Sequence, residues 1–291
     1  MPIPTYPEFA PIDLEMRKDL YPALNLLADG ISEFSFSNLY LFRKTYGYRV
    51  SRVPGKTLVI EGAKHGSSFF YVPCALPDKA TLDELMKSHD YLKNLSETQC
   101  VAHRVELEQS GYRVEEDRDN FDYLYWRSDL AELSGKAYHK KRNLVNAFLN
   151  SYSYEQKPLS KENVPDAVAV LDDWRAQKGE DGDYAAAREA LDLYEELGMR
   201  GCVYYVAGEP AGWCLGEPLA KAKMFAVHFE KGRESYKGIY QFINQAFAAA
   251  LPAYFKSVNR EQDLGDEGLR QAKMTYRPYG FVKKYRVIKG A

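Results

Sequence analysis

The periods of the hydrophobic positions along this chain mark a series of short helices and strands. Apolar residues three or four apart indicate amphipathic helices, and apolar residues two apart indicate half-buried strands. In the first half the predicted helices cover 13–29, 35–46 and 81–95, and the predicted strands cover 48–53, 57–61, 68–72 and 98–101. A short helix to Ser110 and alternating runs at 112–115 and 121–126 complete this half.

The second half repeats the same order of elements. Its predicted helices cover 162–178, 184–197, 238–255 and 266–276, and its predicted strands cover 203–207, 211–215, 223–230, 257–261 and 281–288. Each half therefore reads as two helices, three antiparallel strands, a helix, a strand, a helix and a last strand. This order predicts a mixed α/β fold built from two tandem domains, 1–134 and 153–291, joined by a connector helix at 135–152. A coincidence of element order is the alternative.

The connector helix is amphipathic but carries cations where they are least favourable. Lys140, Lys141 and Arg142 lie early in the helix, where positive charge opposes the helix dipole. A role beyond local stability is therefore predicted for Lys141 and Arg142, namely contact with the phosphates of a bound substrate or carrier. Arg142 is preferred because a guanidinium pairs with phosphate through two donors. The alternative is a solvated helix face.

Charge changes this picture locally rather than globally. The 291 residues carry a net charge of −2, which argues against general coating of nucleic acid. After Glu267, however, there is no acid and there are seven bases. These are Arg270, Lys273, Arg277, Lys283, Lys284, Arg286 and Lys289. The C-terminal end is thus expected to receive an anionic substrate or carrier, unless it is simply a solvated basic face.

The sequence lacks the residue patterns typical of several kinds of site. The four cysteines are far apart, the five histidines show no metal-ligand spacing, and His228 is expected to pack within a strand. No nucleophile motif is present, which favours direct attack by an acceptor over a covalent enzyme intermediate. The N-terminus lacks the features of a signal peptide and no stretch approaches 18 apolar residues, so a cytoplasmic location is expected.

The densest chemistry lies in the stretch from Asn259 to Pro278. Glu261 and Asp263 are two apart, so an extended strand would point both carboxylates to one face. Such a pair could exchange a proton near neutral pH or bind an ammonium group. Asp266 is expected to cap the following helix. Either Asp263 or Asp266 as a helix cap is the structural alternative to catalysis.

The same stretch offers groups that could hold an anion. Gly265 and Gly268 allow close backbone approach at the start of a helix. Arg270 and Lys273 are three apart and share a helix face, from which they could contact phosphates or an acyl carbonyl. A second anion site is expected at Lys237 and Gly238, between a strand and its helix. Exposed helix charges are the plain alternative for the two cations.

These residues carry a family resemblance. The chain from Leu130 to Tyr285 resembles the C-terminal domain of bacterial phosphatidylglycerol lysyltransferases, which are related to Fem-type aminoacyltransferases. The resemblance rests on Lys136, Lys141-Arg142-Asn143, Gly212-Trp213, His228-Phe-Glu-Lys-Gly232, Lys237-Gly238-Ile-Tyr240 and the motif from Asn259 to Lys273. It implies two GNAT-like domains and transfer of an aminoacyl group from charged tRNA to an amine or hydroxyl acceptor.

The resemblance also sets the expected partners. Aminoacyl-tRNA is the implied donor, and the acceptor would be a small molecule or a lipid headgroup. The long transmembrane portion of the lipid-modifying enzymes has no counterpart in this sequence, which puts the lipid acceptor in doubt. Catalysis is expected from Glu261, Asp263 and Lys273. An acyl-CoA-dependent N-acyltransferase is the second hypothesis, although the loop around Lys237 lacks the CoA pattern. A non-catalytic protein that binds through an inter-domain groove is the third.

Overall fold

The described part of the chain forms two seven-stranded sheets, each with its own helices. The computed structural model describes residues 2–53, 55 and 57–290. The strands are β1 (Ala10–Pro11), β2 (Arg49–Arg52), β3 (Leu58–Lys64), β4 (Ser67–Tyr71), β5 (Tyr91–Ser96), β6 (Tyr112–Glu116), β7 (Asp122–Trp126), β8 (Tyr154–Pro158), β9 (Arg200–Val206), β10 (Glu209–Leu219), β11 (Met224–Gly232), β12 (Ser257–Asn259), β13 (Gly280–Val282) and β14 (Lys284–Lys289).

Within the described residues, twelve α-helices accompany the strands. They are α1 (Arg17–Leu24), α2 (Phe36–Leu41), α3 (Arg43–Tyr46), α4 (Lys79–Ser88), α5 (Glu97–Gln109), α6 (Arg127–Glu132), α7 (His139–Ser151), α8 (Val164–Lys178), α9 (Tyr184–Asp192), α10 (Tyr194–Leu197), α11 (Ile239–Ala250) and α12 (Glu267–Met274). Short 3₁₀ helices lie at Leu14–Met16, Ser32–Phe34, Arg118–Asn120 and Lys136–Tyr138. None of these described helices is long and apolar enough to cross a membrane.

The two sheets have the same strand pattern. The first has the order β1-β2-β3-β4-β5-β14-β6, and the second has the order β13-β7-β12-β11-β10-β9-β8. In each sheet a run of antiparallel strands ends in one parallel pair, β4 with β5 and β11 with β12. The next strand is antiparallel again, β14 beside β5 and β7 beside β12. This repetition is the predicted tandem mixed α/β architecture.

The compact units differ from the contiguous domains 1–134 and 153–291 that the sequence predicts. Unit 1 comprises the chain up to Asp122, Gln262–Gly265 and the chain from Phe281 onward, and unit 2 comprises Tyr123–Glu261 and Asp266–Gly280. The strand order gives the reason. β7, from the first half of the sequence, pairs with β12, whereas the C-terminal β14 lies between β5 and β6. The predicted connector lies within unit 2, where α7 packs against α11.

Apolar side chains give each unit a core of its own. In unit 1, Phe70, Leu85, Leu92, Leu95 and Val287 are fully buried in one cluster. In unit 2 the aromatic rings of Trp213, Tyr204, Phe225 and Phe229 are buried on the central strands. Their burial provides most of the stability that holds the strands in register.

Candidate active site

In unit 2, β11 and β12 run parallel for only three residues and then separate. Their pairing ends at Ala226 and Asn259, where β12 stops while β11 continues to Gly232. A bulge between Leu215 and Gly216 disturbs the pairing on the β10 side. Among the described residues, no strand pairs with β11 beyond Ala226 on the β12 side. We call this opening after Ala226 and Asn259 the strand fork.

Two acids hold His228 at the strand fork. Glu261 Oε1 lies 2.7 Å from His228 Nδ1, and Glu217 Oε1 lies 3.0 Å from His228 Nε2. The His228 side chain is only 1% exposed. Burial disfavours its charged form, but the two carboxylates outweigh burial and raise the pKa of His228 to about 10. The ring is therefore an imidazolium that donates from both nitrogens, and the three side chains together keep one negative charge.

A second ion pair bridges the fork. Arg260 Nη2 donates to Glu230 Oε2 at 2.9 Å. Glu230 also lines a small cavity of about 10 Å³ with Asn244, whose buried Oδ1 has no hydrogen-bond partner among the described residues. The remaining walls are apolar and come from Leu130, Val227, Phe247, Ala248, Leu251 and Val258. A cavity of this volume is close to the smallest that can hold one water molecule. The Asn244 Oδ1 would accept a hydrogen bond from that water.

Cations converge beside this ion pair. The ammonium of Lys141 lies 4.1 Å from the centre of the Tyr276 ring, and the Arg260 guanidinium lies 5.7 Å from the same ring. Burial, and then repulsion from Arg260, lower the pKa of Lys141. No described residue gives the Lys141 ammonium a hydrogen bond or an ion pair, so its donors remain available to an anion.

Lys273 has a structural task at the same place. Its Nζ donates to the backbone oxygens of Arg260 at 2.5 Å and Glu261 at 3.1 Å. The Tyr125 hydroxyl donates to the Lys273 carbonyl at 2.9 Å, which ties α12 back to β7. Lys273 therefore fixes the chain that carries Arg260 and Glu261.

The expected extended strand through Glu261 and Asp263 is not present. β12 ends at Asn259, and Glu261 adopts a left-handed backbone with φ of 55°. Glu261 belongs to unit 2 and pairs with His228, whereas Asp263 belongs to unit 1 and is fully buried. Asp263 Oδ2 accepts from Arg118 at 3.2 Å and its Oδ1 accepts from the Gly265 amide at 2.9 Å. Each carboxylate thus has a cation of its own.

Three other predicted carrier-binding residues lie in unit 2 with different surroundings. Arg142 donates to the carbonyls of Leu133 and Gly135, so its guanidinium closes the loop before α7. Lys237 is exposed in the loop before α11. Gly238 begins α11 with φ of 86°, and an added Cβ would come within 2.3 Å of the Leu144 carbonyl. Close packing of α11 on α7 requires glycine there.

The remaining predicted residues surround the start of α12. Asp266 caps α12 by accepting from the Leu269 amide at 2.7 Å, which confirms its expected role. Gly265 has φ of 84° and lies beside Asp119 in unit 1. Gly268 is exposed and Arg270 is half-buried, both on α12.

Sequence reasoning did not select Glu217, Glu230 and Arg260 for the site, and it gave His228 only a packing role. A signal was available, because Glu217, His228 and Glu230 all lie in strands whose other residues are mostly apolar. Charged groups in such strands need partners when buried, and that requirement alone suggests a cluster. The pairing of the strands determines which charged side chains become partners, and the local sequence does not contain that information.

Comparison with known proteins identifies the family of this chain. The pattern described as "Phosphatidylglycerol lysyltransferase, C-terminal" matches residues 24–288. The chain belongs to this family. A conserved protein of unknown function from Bacteroides thetaiotaomicron is 30% identical, with a TM-score of 0.84 over 97% of this chain and 99% of that one. The family recognition made from the sequence is thereby confirmed.

A more distant solved structure has the fold of this phosphatidylglycerol lysyltransferase C-terminal family member, and a further relative matches part of its sequence. The C-terminal domain of a putative lysylphosphatidylglycerol synthetase from Agrobacterium fabrum is 14% identical, with a TM-score of 0.61 over 94% of this chain and 92% of that chain. An uncharacterized protein of Mycoplasmoides gallisepticum is 25% identical, over 63% of this chain and 62% of its own length.

The tandem fold class is confirmed by two further structures that share it at low identity. FemX has a TM-score of 0.57 at 9% identity, and covers 97% of both chains. A tandem GNAT protein from clavulanic acid biosynthesis has a TM-score of 0.50 at 11% identity, over 98% of both chains. Family and fold together are those of GNAT-like acyltransferases.

Proposed function

We propose that this chain transfers an aminoacyl group from aminoacyl-tRNA to an amine or hydroxyl acceptor, at the strand fork of unit 2. One observation carries the proposal: the Lys141 ammonium is half-buried, unpartnered and adjacent to the Arg260 guanidinium. Arg260 is paired with Glu230, whereas Lys141 has no anionic partner among the described residues, so an anion bound beside Lys141 would be stabilised. The phosphate backbone at the acceptor end of a tRNA has that charge, and so does the oxyanion of an acyl-transfer intermediate.

The anionic group around His228 favours an aminoacyl donor over a neutral acyl donor. Glu217, Glu261 and the His228 imidazolium keep one net negative charge in a poorly hydrated place. The α-ammonium of an aminoacyl group would neutralise that charge, and an acetyl group would not. The backbone of β11 at the fork, where β12 no longer pairs with it, would then polarise the acyl carbonyl.

Two observations weigh against coenzyme A as the carrier. The loop from Lys231 to Gly238 lacks the glycine-rich pattern that holds a pyrophosphate. In addition, the carbonyl of Leu144 lies against Gly238 at the start of α11. A carbonyl oxygen at a helix N-terminus competes with phosphate for the positive end of the dipole.

The proposed reaction is a direct displacement. The acceptor nitrogen or oxygen forms a bond to the acyl carbon, and the ester bond to the tRNA ribose breaks. The acceptor loses a proton, and the leaving ribose oxygen gains one. Glu261, which is 18% exposed beside the fork, is the carboxylate placed to take the acceptor's proton. Because charged tRNA is the donor, we place the reaction in the cytoplasm.

A comparison of two acyl donors, charged tRNA and acetyl-CoA, tests this function. The purified chain is incubated with tRNA charged with ¹⁴C-labelled amino acids, or with ¹⁴C-acetyl-CoA, and with panels of amines, hydroxyl compounds and phosphatidylglycerol vesicles. We expect label to leave tRNA and appear in one acceptor class. Lys141→Met should lower kcat/KM by about 10- to 100-fold, the usual effect of losing one charged contact in the transition state.

Lys140→Met is the matched control, because Lys140 is the exposed neighbour of Lys141 on α7. It should keep full activity. Transfer from acetyl-CoA alone would establish the acyl-CoA alternative instead. Binding of charged tRNA without transfer to any acceptor would indicate a binding protein, and equal activity of both variants would remove Lys141 from the mechanism.

A further inference from the structure

Unit 1 has a strand opening of its own. β4 and β5 pair in parallel only at Phe69 with Tyr91 and Phe70 with Leu92. β5 then continues from Lys93 to Ser96 along β14, with an irregular register opposite Arg286. The described part of unit 1 therefore has, at the same position in its sheet pattern, an opening like the strand fork of unit 2. Lys93 and Asn94 are the first residues of β5 at this opening.

The Lys93 side chain lies in a box of aromatic rings. Its ammonium is 5.0 Å from the centre of Phe69, 5.8 Å from Tyr46 and 5.9 Å from Tyr71. Lys93 is 5% exposed. Tyr46 and Tyr91 are only half-buried, and Tyr91 packs on Phe69 at 5.8 Å, so these rings form the outer side of the box. Aromatic faces attract an ammonium group, but they do not satisfy its N–H donors as an oxygen acceptor would.

Two adjacent polar side chains remain unsatisfied here. No described residue gives the Lys93 ammonium a hydrogen bond or an ion pair. The next residue, Asn94, is 1% exposed, and both polar atoms of its carboxamide lack hydrogen-bond partners within the described chain. Buried amides and ammonium groups are rarely left in this state, because each loses its hydration without compensation. The pairing of two such groups at a strand opening indicates a missing ligand.

The charges around Lys93 come from several elements. Burial, and then repulsion from Lys64 and Lys284, lower the pKa of Lys93 to about 8, although attraction to Glu33 and Asp117 opposes the shift. Lys284 donates to the carboxylates of both Glu33 and Asp122. Lys93 is therefore protonated at pH 7 and is attracted by Glu33, but among the described residues no carboxylate forms a hydrogen bond or an ion pair with it.

We propose that unit 1 binds a small planar carboxylate at Lys93, in the aromatic box formed by Tyr46, Phe69 and Tyr71. This binding site is separate from the transfer chemistry proposed for unit 2 and does not depend on it.

The donors favour a carboxylate over a phosphate. An ammonium and one carboxamide match the two oxygens of a carboxylate, whereas phosphate sites usually present several backbone amides or guanidinium groups. The flat rings favour a planar, partly apolar acid that can stack on them. An aromatic or unsaturated carboxylate meets both requirements.

Binding of benzoate to the full chain tests the proposal. Equilibrium dialysis with ¹⁴C-benzoate at pH 7 should show one saturable site. Lys93→Met should weaken binding by at least about tenfold, because the charge-assisted contact is lost. Lys93→Arg keeps the charge and should retain binding. Raising the pH to 9.5 should weaken binding to the wild type, since Lys93 then loses its proton.

Controls separate the site from general effects. Lys87→Met changes an exposed lysine on α4 and should bind benzoate like the wild type. Benzamide, which has the ring without the charge, should not bind. Thermal unfolding of each variant shows whether it is folded. If Lys93→Met is not folded, the comparison of the wild type with Lys93→Arg still tests the proposal. Equal binding by wild type and Lys93→Met, or no saturation by about 20 mM, a limit near 2 kcal/mol of binding free energy, would overturn the proposal.

Discussion

At the scale of single residues, the strand fork depends on how buried charges are neutralised. His228 is charged because two carboxylates contact it, and each carboxylate is in turn stabilised by the ring. Removing one member of such a group leaves the others buried without a counter-charge, which costs more than the original interaction contributes. The Glu217–His228–Glu261 group is therefore a place where a small substitution has a large effect.

Replacing His228 with Gln tests this dependence. At pH 7 we expect the free energy of unfolding to fall by about 3–5 kcal/mol, since two carboxylates lose their cation. The pKa of His228 is raised to about 10 in the folded chain, from about 6.5 when unfolded. The stability it contributes is complete below about pH 6.5 and disappears as the pH rises toward 10, a change of up to ~5 kcal/mol.

Urea unfolding of wild type and His228→Gln between pH 6 and 10 measures this. The gap between the two proteins should be widest at low pH and should narrow steadily as the pH rises. His139→Gln, at an exposed position on α7, is the control and should follow the wild type. A gap that stays constant with pH would show that His228 is neutral when folded.

Only some of the site residues could be predicted from the sequence. Lys141 could be selected because a cation early in a helix opposes the helix dipole, and the structure places it beside Arg260. Arg142 satisfies the same rule but binds backbone carbonyls of its own loop. The rule identifies an unusual charge, whereas the direction of a long side chain depends on tertiary neighbours that no local pattern specifies.

At the scale of elements, α7 and α11 pack so closely that one position has no room for a side chain. Gly238 begins α11, with the Leu144 carbonyl of α7 against it. Its φ of 86° is also costly for any residue with a Cβ. Two separate restrictions, backbone conformation and space, therefore act on the same glycine.

Gly238→Ala and Gly179→Ala distinguish the two restrictions. Gly179 ends α8 with φ of 72° and has nothing within 4 Å of an added Cβ, so its substitution should cost only the conformational term, about 1 kcal/mol. Gly238→Ala adds a clash with backbone, and we expect a loss of at least about 3 kcal/mol. Chemical denaturation gives both values. Equal losses would mean that α7 can move away from α11 at little cost.

Most of the elements were predictable, but the stretch 81–101 was predicted wrongly. The pattern predicted a helix at 81–95 and a strand at 98–101, whereas α4 ends at Ser88, β5 covers Tyr91–Ser96 and α5 begins at Glu97. Ser96 starts α5 through a capping box with Gln99, a signal that was present in the sequence. The strand just before it is stabilised by pairing with β4 and the distant β14, which outweighs its helical spacing.

At the scale of the whole molecule, each sheet contains a strand from the other half of the sequence. β14 lies next to the edge strand β6 in the first sheet, and β7 takes the corresponding place beside β13 in the second. Sequence order could predict two similar halves, but it could not predict this exchange, because either strand has the alternating pattern that either position requires. Contiguous domains 1–134 and 153–291 were predicted because the exchange of the two strands is not visible in the sequence.

Deleting 284–291 from the full chain tests how far the exchange controls stability. The first sheet would lose the strand between β5 and β6, together with Lys284, the cation bound by Glu33 and Asp122. Hydrogen exchange should then show lost protection in β5 and β6, while β9, β10 and β11 remain protected, because unit 2 keeps all the strands up to β12. Deleting only 290–291, beyond β14, should leave both sheets protected. Retained protection of β5 would contradict the structural role given to β14, and equal loss in both sheets would show that the two units unfold as one.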